Sequence, residues 1–151
     1  MTRFLIRDAE AADAPALQDV FRRSSLSNPG DRANLLANPD ALEFSLPAVK
    51  EGCTRAAVAD VGIVGFATSI TAGLVTEIED LFVDPDWLRQ GAGRALVSDL
   101  MESARGRGAR RVEVTANTEA LPFYQKIGFV FDRAVETRFG PALRLYRELT
   151  P

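Results

Sequence analysis

The sequence predicts one mixed α/β (α+β) domain, a central mixed sheet of about six or seven strands flanked by about four helices. Three observations carry that prediction. Strand-like runs and amphipathic helical stripes follow the order strand, one or two helices, three strands, helix, strand, helix, two strands. Three successive strands with only a single strand–helix–strand crossover do not make a regular doubly wound sheet. The 151 residues contain no repeat, no low-complexity stretch and no linker long enough to divide them, so 1–151 reads as a single domain.

Each element has its own signal. Thr2 to Arg7 alternates weakly and reads as the first strand. Pro15 suits the first turn of a helix whose apolar residues Ala14, Leu17, Val20 and Phe21 share one face. Ser24 to Asn38 is rich in Ser, Asn, Asp, Pro and Gly and predicts loop with short helix, and Pro39 to about Lys50 predicts a further helix. Thr54 to Ala59 and Ile63 to Thr71 are β-rich runs joined by Asp60-Val61-Gly62, a hairpin signal. Glu77 to Val83 is a third run, stopped by Asp84-Pro85. A helix from about Gly93 to Arg105 carries the stripe Leu96, Val97, Leu100, Met101 and Ala104. Arg111 to Ala116 reads as a strand and Glu119 to Ile127 as a helix with Pro122 in its first turn. Phe129 to Arg133 and Ala142 to Leu149 close the chain as strands.

Composition removes whole classes of chemistry. At 46% hydrophobic and 26% charged residues, a chain of this length hides roughly 68–70% of its extended surface on folding, enough for a core without staples. Histidine is absent, which excludes a Ser-His-Asp triad, a Cys-His pair and any imidazole metal ligand. Cys53 stands alone, so no internal disulfide or thiolate zinc site can form; no metal is expected, and a lone thiol fits a reducing, cytoplasmic setting. Val61 to Ile70, the longest mostly apolar stretch, is far short of the ~20 residues a bilayer requires. Met1 to Glu10 mixes arginine with acid before any apolar run, unlike a secretory signal. A net charge of −3 argues against nucleic-acid binding. Arg105, Arg107, Arg110 and Arg111 crowd a helix end, where cations suit the negative dipole.

The chemistry is concentrated between Val83 and the next helix. There the chain reads Asp84-Pro85-Asp86-Trp87-Leu88-Arg89-Gln90-Gly91-Ala92-Gly93-Arg94. Two glycines two apart at a helix start let a ligand approach the backbone. The first-turn N–H groups then point outward with the positive dipole end, an anion site suited to phosphate. A P-loop would need GxxxxGK[ST], and the chain has no Lys-Ser or Lys-Thr. A dinucleotide fingerprint would need Gly or Ala three residues past Gly93, where Leu96 stands. Glu113, twenty residues beyond Gly93, mimics that fingerprint's ribose-binding acid, but seven residues separate Val83 from Gly91.

In this order the motifs resemble the GNAT superfamily of N-acetyltransferases. The residues that carry the likeness are Glu77-Ile78-Glu79-Asp80-Leu81-Phe82-Val83-Asp84-Pro85 and Gln90-Gly91-Ala92-Gly93-Arg94-Ala95-Leu96-Val97. Further on stand Val112-Glu113-Val114, Asn117 and Phe123-Tyr124-Gln125-Lys126-Ile127-Gly128-Phe129. Ile63-Val64-Gly65-Phe66-Ala67 and Phe4 to Asp13 also match, and the likeness is weakest from Leu26 to Gly52. One departure is Leu88, where the family pattern has Gln or Arg; Arg89 and Gln90 are the polar residues beside it.

The resemblance implies a single GNAT-like domain that uses acetyl-CoA as co-substrate. It places the pyrophosphate on the backbone of Arg89, Gln90, Gly91, Ala92, Gly93 and Arg94. It runs the pantetheine arm along Leu81, Phe82 and Val83, between parallel strands ending near Val83 and Ala116. It gives the Val83 N–H the polarisation of the thioester carbonyl, and Asn117, Phe123 and Tyr124 contacts with the cofactor. It also implies that Tyr124 protonates the departing thiolate, and that Glu77 takes a proton from the amine. Alternation puts Glu79 on the same face, so it is a second candidate base. Periodicity alone makes Tyr124 a core residue, on one helix face with Ala120, Phe123 and Ile127, and makes the carboxylates a solvated or salt-bridged face. Cys53 reads as a small filler.

The leading expectation is therefore direct transfer of acetyl to an amine of a small molecule, peptide or protein in a ternary complex. A catalytically silent acyl-CoA-binding or regulatory module of the same fold is the alternative, with a dinucleotide-binding oxidoreductase behind it. No nucleic-acid or membrane partner is expected. Pairing of two copies through sheet edges or terminal strands is compatible with the resemblance. The acceptor is expected to meet residues between Val20 and Lys50, among which Phe21, Arg22, Arg23, Glu43 and Phe44 stand out.

Overall fold

A computed structural model describes residues 4–27, 49, 53–138 and 140–150. Its strands are β1 (Leu5–Asp8), β2 (Thr54–Ala59), β3 (Gly62–Ala72), β4 (Val75–Val83), β5 (Arg111–Ala116), β6 (Val130–Thr137) and β7 (Gly140–Glu148). Its helices are α1 (Ala14–Leu26), α2 (Ala92–Gly106) and α3 (Leu121–Lys126). The seven strands form one mixed sheet in the order β1-β2-β3-β4-β5-β7-β6. Strands β4 and β5 run parallel, while β1–β2, β2–β3, β5–β7 and β6–β7 are antiparallel. The predicted class and strand number hold.

Three α-helices stand among the described residues where about four are expected. The helix predicted over Pro39–Lys50 lies outside them except for Val49, which is helical and buried. Ser24 to Leu26, read as loop, continues α1. The helix ends where the Ser27 hydroxyl and N–H both donate to the Ser24 carbonyl. The helix predicted over Glu119–Ile127 divides into a 3₁₀ turn, Thr118–Ala120, and α3. Asn117 caps the turn and Pro122 lies in the first turn of α3, where its missing N–H does no harm. Strand β6 runs four residues past Arg133, because β7 pairs with it as far as Thr137↔Gly140.

By backbone contact the chain divides into two compact units, Met1–Thr68 with Asp80–Asp99, and Ser69–Glu79 with Leu100–Pro151. In the first, α1 buries Leu17 and Val20 in a cluster with Ala9, Val49, Ala56 and Phe66. Arg55 on β2 grips Asp99 on α2 with two nitrogens at 2.9 Å, and Asp8 on β1 with a third. In the second, Ile78, Leu100, Met101, Ala104, Val112, Val114, Phe129 and Leu145 are buried. All five residues of the predicted α2 stripe are buried, two in the first unit and three in the second. No helix among the described residues is long and apolar enough to cross a membrane.

Candidate active site

In the first unit, the end of β4 is held by its neighbours rather than by its own side-chain chemistry. The Phe82 ring packs edge-on against Phe21 of α1, with centroids 4.9 Å apart, and in a tilted contact against Phe66 of β3 at 5.6 Å. A Cβ built on Gly65 of β3 would stand 3.0 Å from the Phe82 carbonyl oxygen, closer than to any other atom. A side chain there would crowd that oxygen, and the close approach shows that the Phe82 carbonyl faces β3. Because the peptide is trans, the N–H of Val83 points the other way, away from β3. One residue on, the Asp84 N–H donates to the Val64 carbonyl at 2.8 Å. The strand then stops at a 3₁₀ turn, Pro85–Trp87, which the Asp84 carboxylate caps by accepting from the Asp86 N–H.

The loop that follows is shaped by two left-handed residues, Arg89 (φ 63°) and Gly91 (φ 95°), on either side of Gln90. They turn the chain into α2, whose Ala95 N–H donates to the Gly91 carbonyl at 2.9 Å. Helix geometry leaves the earlier amides of Ala92, Gly93 and Arg94 without an intrahelical acceptor. The buried side chains of Ala92, Leu96 and Val97 fix the helix beneath them. Arg89, Gln90 and Arg94 are exposed. Outward amides, a positive dipole end and two exposed guanidinium groups make a fitting cradle for a pyrophosphate. Leu88, the departure from the family pattern, is 54% exposed.

In the second unit the chemistry lies in side chains. Glu77 on β4 and Glu113 on β5 are register partners, two carboxylates that would repel each other. Arg144 on β7 bridges them. One of its terminal nitrogens donates to Glu77 at 2.7 Å and to Thr115 at 2.9 Å; the other donates to Glu77 at 2.9 Å and to Glu113 at 2.6 Å. The bond to Glu77, stronger than the opposing effect of burial, pushes the Arg144 guanidinium above the ordinary arginine value. Arg111 extends the network to Glu148 and lies over the Tyr146 ring, 4.2 Å from its centroid. Both Glu77 oxygens are thus engaged, whereas Glu79, two residues along, is exposed and makes no ion pair among the described residues.

Tyr124 on α3 is 4% exposed, its ring edge-on to Phe123 at 5.1 Å and to Phe129 at 5.2 Å. Burial pushes its phenol well above the ordinary value of 10. The N–H groups of Ile127 and Phe129 both donate to the Tyr124 carbonyl, and Gly128 (φ 95°) makes the left-handed step that ends the helix. The Arg147 side chain lies against Gly128, 3.2 Å from where a Cβ would stand, and donates to the Ile127 carbonyl. Asn117 is exposed, and its side-chain oxygen accepts from the Ala120 N–H at 2.9 Å.

The predicted residues thus fall into two groups. Leu81, Phe82, Val83 and Arg89 to Arg94 lie in the first unit; Glu77, Glu79, Asn117, Phe123 and Tyr124 lie in the second. Arg23, Arg144 and Arg147 were not predicted to hold the strand end, the carboxylates and the tyrosine helix. Their partners are 61, 67 and 20 residues away in sequence, so no local motif could reveal them. Among the described residues no group of three or more His, Cys, Asp or Glu could hold a metal ion. Glu43 and Phe44 lie outside the described residues.

A strand end with its amide turned outward, a glycine-shaped helix start and a tyrosine before a left-handed glycine are the features of one class of acyl-transfer fold. The profile of the acetyltransferase (GNAT) family matches residues 16–129, and the chain belongs to that family. Over 55 residues it is 44% identical to the glucosamine 6-phosphate N-acetyltransferase of Trypanosoma brucei brucei, a match covering 36% of this chain and 37% of that one. Among solved structures, the PaiA N-acetyltransferase of Thermoplasma acidophilum in complex with coenzyme A has a TM-score of 0.78 at 16% identity, covering 97% of this chain and 99% of that one. The ribosomal-protein-S18-alanine N-acetyltransferase of Escherichia coli has a TM-score of 0.73 at 20% identity, covering 99% and 96%. At such identities these two establish the shared fold.

Proposed function

We propose that the protein transfers an acetyl group from acetyl-CoA to an amine by direct attack in a ternary complex. The observation that supports this reading is the start of α2, where left-handed Arg89 and Gly91 lead into a first turn whose Ala92, Gly93 and Arg94 amides have no intrahelical acceptor and suit a phosphate. The Val83 N–H polarises the thioester carbonyl and receives the negative charge that grows on its oxygen. Leu81 and Val83 offer backbone groups to the pantetheine arm. The nitrogen of the Asn117 amide, the end of that side chain not engaged in capping, is a further donor to it.

An amine of ordinary pKa, ~10, arrives protonated and must lose a proton before it attacks. Accepting that proton would neutralise Glu77 and weaken its charge-assisted pair with Arg144, so in this reading Glu79, directly or through a water, receives it. Glu77 then contributes fixed negative charge toward the cationic acceptor. Tyr124 serves the leaving sulfur. A phenol pushed up by burial stays protonated at every working pH, which makes it a constant hydrogen-bond donor to the thiolate. Full proton transfer to a thiolate whose acid has a pKa of about 8.5 runs uphill, so its main action is charge stabilisation through that bond.

A cytoplasmic setting fits the lone cysteine. Two acceptor chemistries deserve first trial, because relatives bear their names: an amino sugar phosphate and an N-terminal alanine. The test is thermal denaturation with CoA, acetyl-CoA, NADH or NADPH, followed by an amine panel containing glucosamine 6-phosphate and a peptide whose first residue is alanine. A ligand at 100 times its Kd adds about 2.7 kcal/mol. Stabilisation by CoA and acetyl-CoA alone, with transfer to an amine, is expected. Stabilisation without any transfer would make the chain a binding module, and stabilisation by NADPH alone would overturn the reading.

A further inference from the structure

Asp84 is the only buried carboxylate among the described residues, at 7% exposure. A charge in that position needs partners. Its Oδ2 accepts from Arg23 of α1 at 2.7 Å and its Oδ1 from the Asp86 N–H at 2.9 Å. Its backbone N–H donates to Val64 and its carbonyl accepts from the Trp87 N–H, both at 2.8 Å. The second terminal nitrogen of Arg23 donates to Asp86 at 2.7 Å, so one guanidinium holds both acids of the turn. Two residues earlier on the same helix, Phe21 packs on Phe82. Helix α1 therefore grips the strand on both sides of Val83.

From this we infer that Arg23 is a positioning residue for acyl transfer, acting through Asp84 on the Val83 N–H. The inference rests on the acetyltransferase reading. Two physical effects support it. Arg23 holds the Asp84 side chain, one peptide beyond the Val83 amide, and so limits the swing of the strand end that carries that amide. It also neutralises a buried carboxylate one residue from the place where negative charge must grow. An uncompensated carboxylate there would oppose the oxyanion, because Coulomb repulsion is strong where water is scarce. The amides of α2 rest on the buried Ala92, Leu96 and Val97 instead, so Arg23 should bear little on pyrophosphate binding.

The test reads backbone amide resonances of the full chain with CoA and with acetyl-CoA, in wild type and in Arg23→Met, Arg23→Lys and Asp86→Asn. In wild type, both ligands should shift Ala92, Gly93 and Arg94, and acetyl-CoA should add a further shift at Val83, since only it carries the thioester carbonyl. Arg23→Met should keep the α2 shifts and lose the one at Val83; Arg23→Lys should retain part of it. Asp86→Asn should behave as wild type, because that side chain is 77% exposed. With an amine that reacts, Arg23→Met should lower kcat about 10-fold, less than deletion of an oxyanion donor, with KM for acetyl-CoA unchanged. Should Arg23→Met fail to fold, Arg23→Lys carries the comparison. An acetyl-specific Val83 shift that survives in both variants overturns the inference. An absence of α2 shifts in wild type overturns the acetyltransferase reading itself.

Discussion

The two compact units present their chemistry through different atoms. In the first, the groups proposed to meet a ligand are backbone amides, of Val83 and of Ala92 to Arg94, and side chains serve to set φ, fill the core or hold a turn. In the second, the groups are side chains, a tyrosine and an ordered file of carboxylates and guanidinium groups. A backbone site is robust to composition but intolerant of conformation. A side-chain site tolerates conformation and is intolerant of losing one charge. The variants below separate the two behaviours.

Tyr124→Phe should have the largest effect. It keeps the ring packing against Phe123 and Phe129 and removes the hydrogen bond proposed to the leaving sulfur. Turnover should fall about 100-fold with CoA affinity unchanged; equal turnover would remove Tyr124 from the mechanism. The same variant tests the phenol's raised pKa through stability. A group whose folded pKa lies above its unfolded value contributes fully below the unfolded value and loses that contribution as pH rises. Wild type should therefore weaken above pH 10, the ordinary tyrosine value, and Tyr124→Phe should weaken less. Parallel alkaline loss in both proteins would refute the burial argument.

Next comes Arg144→Leu, which leaves Glu77 facing Glu113 across the β4–β5 register. The site is partly solvated, so the loss should be smaller than for a fully buried pair, about 2 kcal/mol. For a chain of this size that lowers Tm by roughly 4–8 °C. Adding Glu113→Gln should restore part of it, because one of the facing charges is then gone. A double variant no more stable than the single would show that the carboxylates do not repel as argued. CoA affinity should stay at the wild-type value in both.

How far these features were legible in the sequence follows the same division. Gly91 could be read because residue type and backbone requirement coincide: a left-handed residue at a helix start calls for glycine. Arg89 adopts the same region without that residue-type signal, and only the fold reveals it. Strand β5 and the α2 stripe were legible because burial repeats with their periods, whereas β3, buried at five successive residues, was legible as a β-rich run bounded by turn signals. The end of α1 was not, since Ser24 and Ser25 resemble loop in composition and the stop at Ser27 is a hydrogen bond, not a residue preference. Glu77 could be chosen as a candidate, but not its clamp. Arg144 reaches it only because topology sets β5 between β4 and β7, and a register of three strands is not written in any short stretch. The helix expected over 39–50 lies outside the described residues apart from Val49.

Gly91→Val and Gly108→Val sharpen the contrast further. Both glycines are left-handed, at φ 95° and 84°, and a Cβ on either meets nothing within 4 Å. Steric room is therefore equal and the strain is conformational, about 1–2 kcal/mol in each case. Gly108 follows α2 in the second unit, away from the first-turn amides. Stability should fall alike in the two variants, while CoA affinity falls about 10-fold at Gly91 alone, as expected when a loop must adopt a strained conformation to bind. Equal CoA affinity in the two variants would break the claim that the backbone at Gly91 makes the phosphate site.

The smallest effect is expected at Arg89. Substitution by glycine relieves a left-handed arginine but also gives the unfolded chain more freedom, and the two terms oppose each other. The net change should lie within about 0.5 kcal/mol. Arg94→Gly removes a second exposed arginine from the same region, but from within α2, where glycine costs about 1 kcal/mol with nothing to offset it. Each variant takes one cation from beside the amides, so each should weaken CoA binding by about the same few-fold, an effect that shrinks as salt is added. The pair thus holds charge constant and varies only backbone strain. If Arg89→Gly is destabilised as much as Arg94→Gly, the left-handed conformation at 89 carries no strain, and Arg89 is then simply one more surface cation.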